Sequence, residues 1–181
     1  MTLYINCCVR KESRTDRIAR ALLEKMGGEY TEIFLPDLDL KPLSAEASDK
    51  RDRLCAAGDY SDPMFDLARQ FAAAERIVIA APYWDSSFPS LLKIYLENIY
   101  VTGIVTKYLS DGSVAGLCRA DELIYVTTAG GSYVPDFSYG YLETIAKDYF
   151  GIKTTRLIKA EMLDIVGADV EGILDEVIRA L

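Results

Sequence analysis

Ser13 and Thr15 stand two residues apart with Arg10 and Arg14 beside them, in a polar stretch that leads into an apolar-periodic segment. Two hydroxyls, guanidinium charge and the free N–H groups of a helix start suit a phosphate monoester. An ordinary reading stands next to that one, in which Ser13 or Thr15 caps the helix among solvated basic residues. A second stretch, Ala81-Pro82-Tyr83-Trp84-Asp85-Ser86-Ser87-Phe88-Pro89, sets the only tryptophan beside a tyrosine and between prolines. A flat aromatic ligand would find a contact surface and backbone N–H groups there, although aromatics tucked under a loop fit the same composition. The third stretch is Thr127-Thr128-Ala129-Gly130-Gly131-Ser132-Tyr133. Its paired glycines let a backbone approach a ligand closely, or simply make a tight turn.

Other chemistries lack their residues. The chain contains no histidine, which removes Ser-His-Asp and Cys-His catalysis and the commonest transition-metal ligand. Ser86-Ser87 has neither a base nor the glycines of a nucleophile elbow, and no Walker-type glycine loop is present for ATP or GTP. The four cysteines show no Cys-x-x-Cys pair and no metal-ligand spacing. Adjacent Cys7 and Cys8 read as reduced thiols, so no metal site is expected. Chemistry must then come from carboxylates, Lys, Tyr or a bound cofactor.

The net charge of −8 counts against a nucleic-acid partner, because binding polyanions requires a basic face. No apolar run approaches the ~20 residues of a membrane span, so no membrane partner is expected. Met1-Thr2-Leu3-Tyr4-Ile5 runs directly into a strand-like segment without a signal-peptide layout, and a cytoplasmic location is the expectation.

The elements that would position these stretches follow from periodicity. Ile77-Val78-Ile79-Ala80-Ala81 and Leu123-Ile124-Tyr125-Val126 are continuous apolar runs, as in parallel strands covered on both faces. Leu3-Tyr4-Ile5 makes a shorter strand, and the more polar segments Glu29 to Leu35 and Thr154 to Ala160 belong toward the sheet edges. Helical spacing recurs around Ala19 to Met26, Leu67 to Phe71, Leu92 to Ile99, Leu142 to Tyr149 and Val170 to Leu181. Strand and helix alternate five times, which predicts one α/β domain over residues 1–181 with a doubly wound parallel sheet. In such sheets ligands bind beyond the carboxyl ends of the strands, where all three stretches fall. Pro36 to Tyr60 and Thr102 to Asp121 read as long irregular stretches and further candidates for lining a site.

With these residues in view, the chain resembles the flavodoxin-like NAD(P)H:quinone oxidoreductases, in particular their FMN-dependent NADH azoreductase branch. The similarity is collinear over nearly the whole chain. It is most specific from Ala81-Pro82 through Lys93, Gly103, Tyr108, Gly112, Gly116-Leu117 and Gly130-Gly131. The resemblance implies a flavodoxin-like three-layer sandwich with a five-stranded parallel sheet in the order 2-1-3-4-5. It also implies bound FMN, reduced by NADH or NADPH and reoxidised by a quinone, azo compound or similar flat small-molecule acceptor in a ping-pong cycle. Carried over residue by residue, the phosphate loop corresponds to Ser13, Arg14 and Thr15. The segment against the isoalloxazine ring corresponds to Tyr83, Trp84, Asp85 and Ser86, and that on the pyrimidine side to Thr128, Ala129, Gly130 and Gly131. No side chain is assigned as a catalytic acid or base; Tyr133 and Tyr108 are the side chains considered as proton donors. Members of the family are homodimers, and Gly103 to Leu117 looks like an arm that helps build the partner's site.

The sequence also departs from the family. Trp84-Asp85-Ser86 stands where azoreductases often carry Tyr-Asn-Phe, Thr128-Ala129 stands where they carry Ser-Arg, and the first loop is shorter. These changes bear on the acceptor more than on the cofactor. A rival of another class is an electron-carrier flavodoxin, which needs no substrate pocket; another is a flavin-fold binding protein without turnover.

Overall fold

The computed structural model describes residues 1–181. Five strands form one parallel sheet: β1 (Thr2–Asn6), β2 (Tyr30–Phe34), β3 (Arg76–Ala80), β6 (Glu122–Thr128) and β7 (Thr154–Ala160). Their order is β2-β1-β3-β6-β7, which is 2-1-3-4-5 counted along this sheet alone. The polar segments take the edges as their composition requires, and the continuous apolar runs take the centre.

Successive side chains along a strand point to opposite faces, and the two cores divide accordingly. Leu3, Ile5, Ile77, Ile79, Leu123 and Tyr125 join the larger core. It is covered by α3 (Asp66–Ala73), α4 (Ser90–Ile99) and α5 (Tyr139–Thr144), the last continuing as a π-helix over Ile145–Phe150. Tyr4, Val78, Ala80, Ile124 and Val126 face the other way. There α1 (Arg14–Met26) packs Ile18, Ala19, Leu22 and Leu23, and α6 (Val170–Ala180) packs Leu174. The result is three layers with apolar material on both faces of the sheet.

The two stretches expected to be irregular are not. Pro36 to Tyr60 contains α2 (Ala45–Ala57), capped by the Ser44 hydroxyl and ended by Gly58 in the left-handed region at φ 66°. None of its residues is buried, so its sequence has no apolar stripe to betray it. Thr102 to Asp121 contains a hairpin of β4 (Thr106–Tyr108) and β5 (Val114–Gly116), whose three-residue strands are too short to show alternation. Neither stretch contributes a residue to the principal cleft.

Candidate functional site

The first stretch begins where β1 ends. Cys7 N–H donates to the Ala80 carbonyl at 2.8 Å, and Cys8 N–H donates to Asn6 Oδ1 at 2.9 Å. The chain then turns at Ser13, whose hydroxyl accepts from Asp16 N–H at 3.2 Å and so caps α1. The capping reading of Ser13 therefore holds, and its hydroxyl proton remains free to donate. The N–H groups of Arg14 and Thr15, first in the helix, have no intrahelical acceptor. Beneath them Asp16 accepts from the Tyr4 hydroxyl at 2.5 Å, from Asn6 Nδ2 at 3.0 Å and from Arg20 Nε at 2.9 Å. Burial, reinforced by Asp16, pushes the Tyr4 phenol far above its ordinary range, so it stays a neutral donor in this floor.

Thr15 is buried, and its hydroxyl lies 2.6 Å from the hydroxyl of Thr128 at the end of β6. This contact joins the first stretch to the third. Tyr83 N–H donates to the Thr128 carbonyl at 3.0 Å, which joins the second as well. Three carboxyl ends thus meet around one hollow because β1, β3 and β6 are adjacent in the sheet.

That hollow is a cleft of 710 Å³, within the usual range for small-molecule sites. Ser13, Arg14 and Thr15 line one side, Tyr83 and Trp84 another, and Thr128, Ala129 and Gly130 a third. Its charged lining is balanced, with Arg10, Lys11, Arg14 and Arg17 against Glu12, Asp16, Asp164 and Glu171. Asp85 lines a neighbouring, mainly apolar cleft that shares Val9 and Trp84 with the first. Ser86 and Gly131 line neither.

Asp85 and Ser86 instead form the tip of a tight turn. Trp84 and Ser87 exchange both backbone hydrogen bonds at 2.8 Å, and the two residues between them lie in the left-handed region at φ 49° and 66°. Such a two-residue hairpin turn favours glycine or asparagine; Asp and Ser hold it at some conformational cost. The turn is tethered by the Ser87 hydroxyl, which donates to the Phe137 carbonyl at 2.6 Å.

The glycine stretch is shaped differently from its expectation. Neither Gly130 nor Gly131 has a positive φ, so a left-handed turn does not explain them. A Cβ on Gly130 would lie 2.3 Å from Asp164 Oδ2. The space is needed by a neighbouring carboxylate. Asp164 belongs to the loop after β7, which pins the third stretch through backbone N–H donors: Met162 to Gly131, Leu163 to Ala129 and Asp164 to Gly130, at 3.0, 3.2 and 2.9 Å.

Sequence reasoning missed that loop. Leu163, Asp164 and the α6 residues Glu171 and Leu174 all line the cleft. The signal was available, because the rule about carboxyl ends that selected three stretches applies equally to Glu161 onward, after a strand already assigned. Neither Tyr133 nor Tyr108 lines either cleft. Tyr133 is buried with its hydroxyl 2.8 Å from Ser138 Oγ, and burial raises its pKa. Tyr108 is exposed on the hairpin.

Comparison with known proteins adds four findings. A family model described as flavodoxin-like fold matches residues 1–181. An FMN-dependent NADH:quinone oxidoreductase 2 of Clostridium acetobutylicum is 36% identical, covering 98% of this chain and 94% of the relative. An FMN-dependent NADH:quinone oxidoreductase of Clostridium beijerinckii is 35% identical, covering 97% and 93%. Among solved structures, an azoreductase from Bacillus anthracis superposes with a TM-score of 0.85 at 16% identity, covering 99% of this chain and 95% of that one. At that identity the superposition speaks for the fold.

Proposed function

The chain belongs to the flavodoxin-like family, among the FMN-dependent NADH:quinone oxidoreductases, and on that premise we propose that it binds FMN and moves hydride equivalents from NADH to quinones, azo compounds or similar flat acceptors. The observation that carries this reading is the convergence of hydroxyl, aromatic and glycine stretches on one cleft at the sheet's carboxyl edge.

The residues fit the cofactor. Ser13 and Thr15, the first N–H groups of α1 and the Arg14 guanidinium would hold the phosphate. Tyr83 and Trp84 would lie along the ring, with the backbone of Asp85 and Ser86 at its edge. Thr128, Ala129 and Gly130 would meet the pyrimidine side, with Gly131 held in the same loop. When bound, FMN supplies the hydride chemistry, and the protein contributes position, polarity and exclusion of water. No side chain is assigned as acid or base, and solvent would supply the protons.

The acceptor side is the apolar cleft beside Trp84, which is also lined by Phe88, Phe137 and Tyr141. Val9, Trp84 and Phe137 are large exposed apolar residues lining this cleft, which supports a homodimer with the flavin near the interface and the Gly103 to Leu117 hairpin reaching across. Four free cysteines support a cytoplasmic location, where thiols stay reduced.

Anaerobic mixing tests the function. NADH should bleach the flavin of the FMN-loaded protein within minutes, and benzoquinone should restore its colour. Parallel runs with NADPH rank the two donors. If neither nicotinamide reduces bound FMN, the oxidoreductase reading is wrong.

A further inference from the structure

The cleft's outer rim carries an ion pair that the cofactor reading does not require. Arg14 Nη1 lies 2.8 Å from Asp164 Oδ1 and 3.4 Å from the Leu163 carbonyl. Arg14 sits between the two hydroxyl residues of the phosphate loop, and Asp164 sits in the loop after β7. The pair therefore joins two of the segments that line the cleft. Asp164 is held there independently of its charge: its N–H donates to the Gly130 carbonyl, and its carboxylate fills the space that a Cβ on Gly130 would need. A carboxylate on a backbone-pinned loop thus faces the one guanidinium within the Ser13-Arg14-Thr15 loop.

A phosphate dianion arriving at Ser13 and Thr15 must draw Arg14 away from this partner or share it, with a like charge close by. We propose that Asp164 is a built-in rival of the cofactor's phosphate for Arg14, a specificity-determining residue that limits the advantage of a phosphorylated flavin over an unphosphorylated one. The idea rests on the reading that the cleft takes FMN. It is read out at the phosphate end because Arg14, the group that Asp164 engages, sits within the Ser13-Arg14-Thr15 loop. Its consequence is a cofactor held less tightly than the cleft's other donors would allow.

The test is titration of wild type, Asp164→Asn and Asp164→Ser with FMN and with riboflavin, at low and high salt. Both variants keep the backbone N–H to Gly130, and thermal melting checks that they fold. FMN affinity should rise about fivefold in Asp164→Asn, the upper end of what one exposed charge pair contributes. Riboflavin affinity should not change. The gain should shrink at high salt, and in an Arg14→Ala background, where there is no guanidinium left to contest. An FMN-to-riboflavin preference that is unchanged or lower in the variants overturns the proposal while leaving FMN binding intact. Wild-type protein that binds neither flavin overturns the cofactor reading and this inference together.

Discussion

Cys7 and Cys8 are neighbours in the chain that face opposite cores, Cys7 the larger and Cys8 the smaller. Burial pushes both thiols up to about 12, and Cys118 likewise. A thiol whose folded pKa lies above its unfolded value of about 8.5 stabilises the fold fully below that value and progressively less as pH rises toward 12. Each such thiol should cost about 1.4 kcal/mol per pH unit across that window. Denaturant unfolding under reducing conditions should therefore give constant stability from these groups up to about pH 8, then a steady fall. A Cys7→Ala, Cys8→Ala protein should fall less steeply, and an unchanged slope would show that these thiols ionise freely in the fold. At this scale much of the site was readable. Ser13, Thr15, Trp84 and Gly130 were marked by type and by position after strands. The purpose of Gly130 was not, because the neighbour that needs its empty space, Asp164, is thirty-four positions away and meets it only through the β6–β7 pairing.

At the scale of elements, the strands and the five core-facing helices were legible because burial writes a period into their sequence. What was hidden is what burial does not touch: α2 lies on the surface, and the β4–β5 hairpin is too short for a pattern. The hairpin is nonetheless fixed in place. A Cβ on Gly116 would lie 2.1 Å from the backbone of Phe150 and Gly151, and Cys118 N–H donates to the Phe150 carbonyl at 3.1 Å. Backbone cannot move aside as a side chain tip can. Gly116→Ala should therefore destabilise the protein by about 1–3 kcal/mol, the usual cost of overpacking, measured by equilibrium denaturation. Unaltered stability would mean that the hairpin is not docked on the end of α5 as described, and that an arm reaching toward a partner subunit has no rigid base.

At the scale of the whole molecule, the parallel order puts β1, β3 and β6 side by side, so that three segments far apart in sequence become the walls of one cleft. This convergence explains how a chain without histidine, carrying a net charge of −8, would hold an anionic cofactor: hydroxyls, free helix N–H groups and Arg14 meet in one cleft whose charged lining is balanced, and the electron chemistry is borrowed. Trp84 is the only tryptophan and lines both clefts, so its emission reports directly on what enters them. The decisive measurement is titration of the protein with FMN while following Trp84 fluorescence, with free tryptophan amide correcting for light absorbed by the flavin. Quenching that saturates at one FMN per chain is the predicted result. Trp84 emission that stays at the level of the free-amide control with FMN in excess would contradict it.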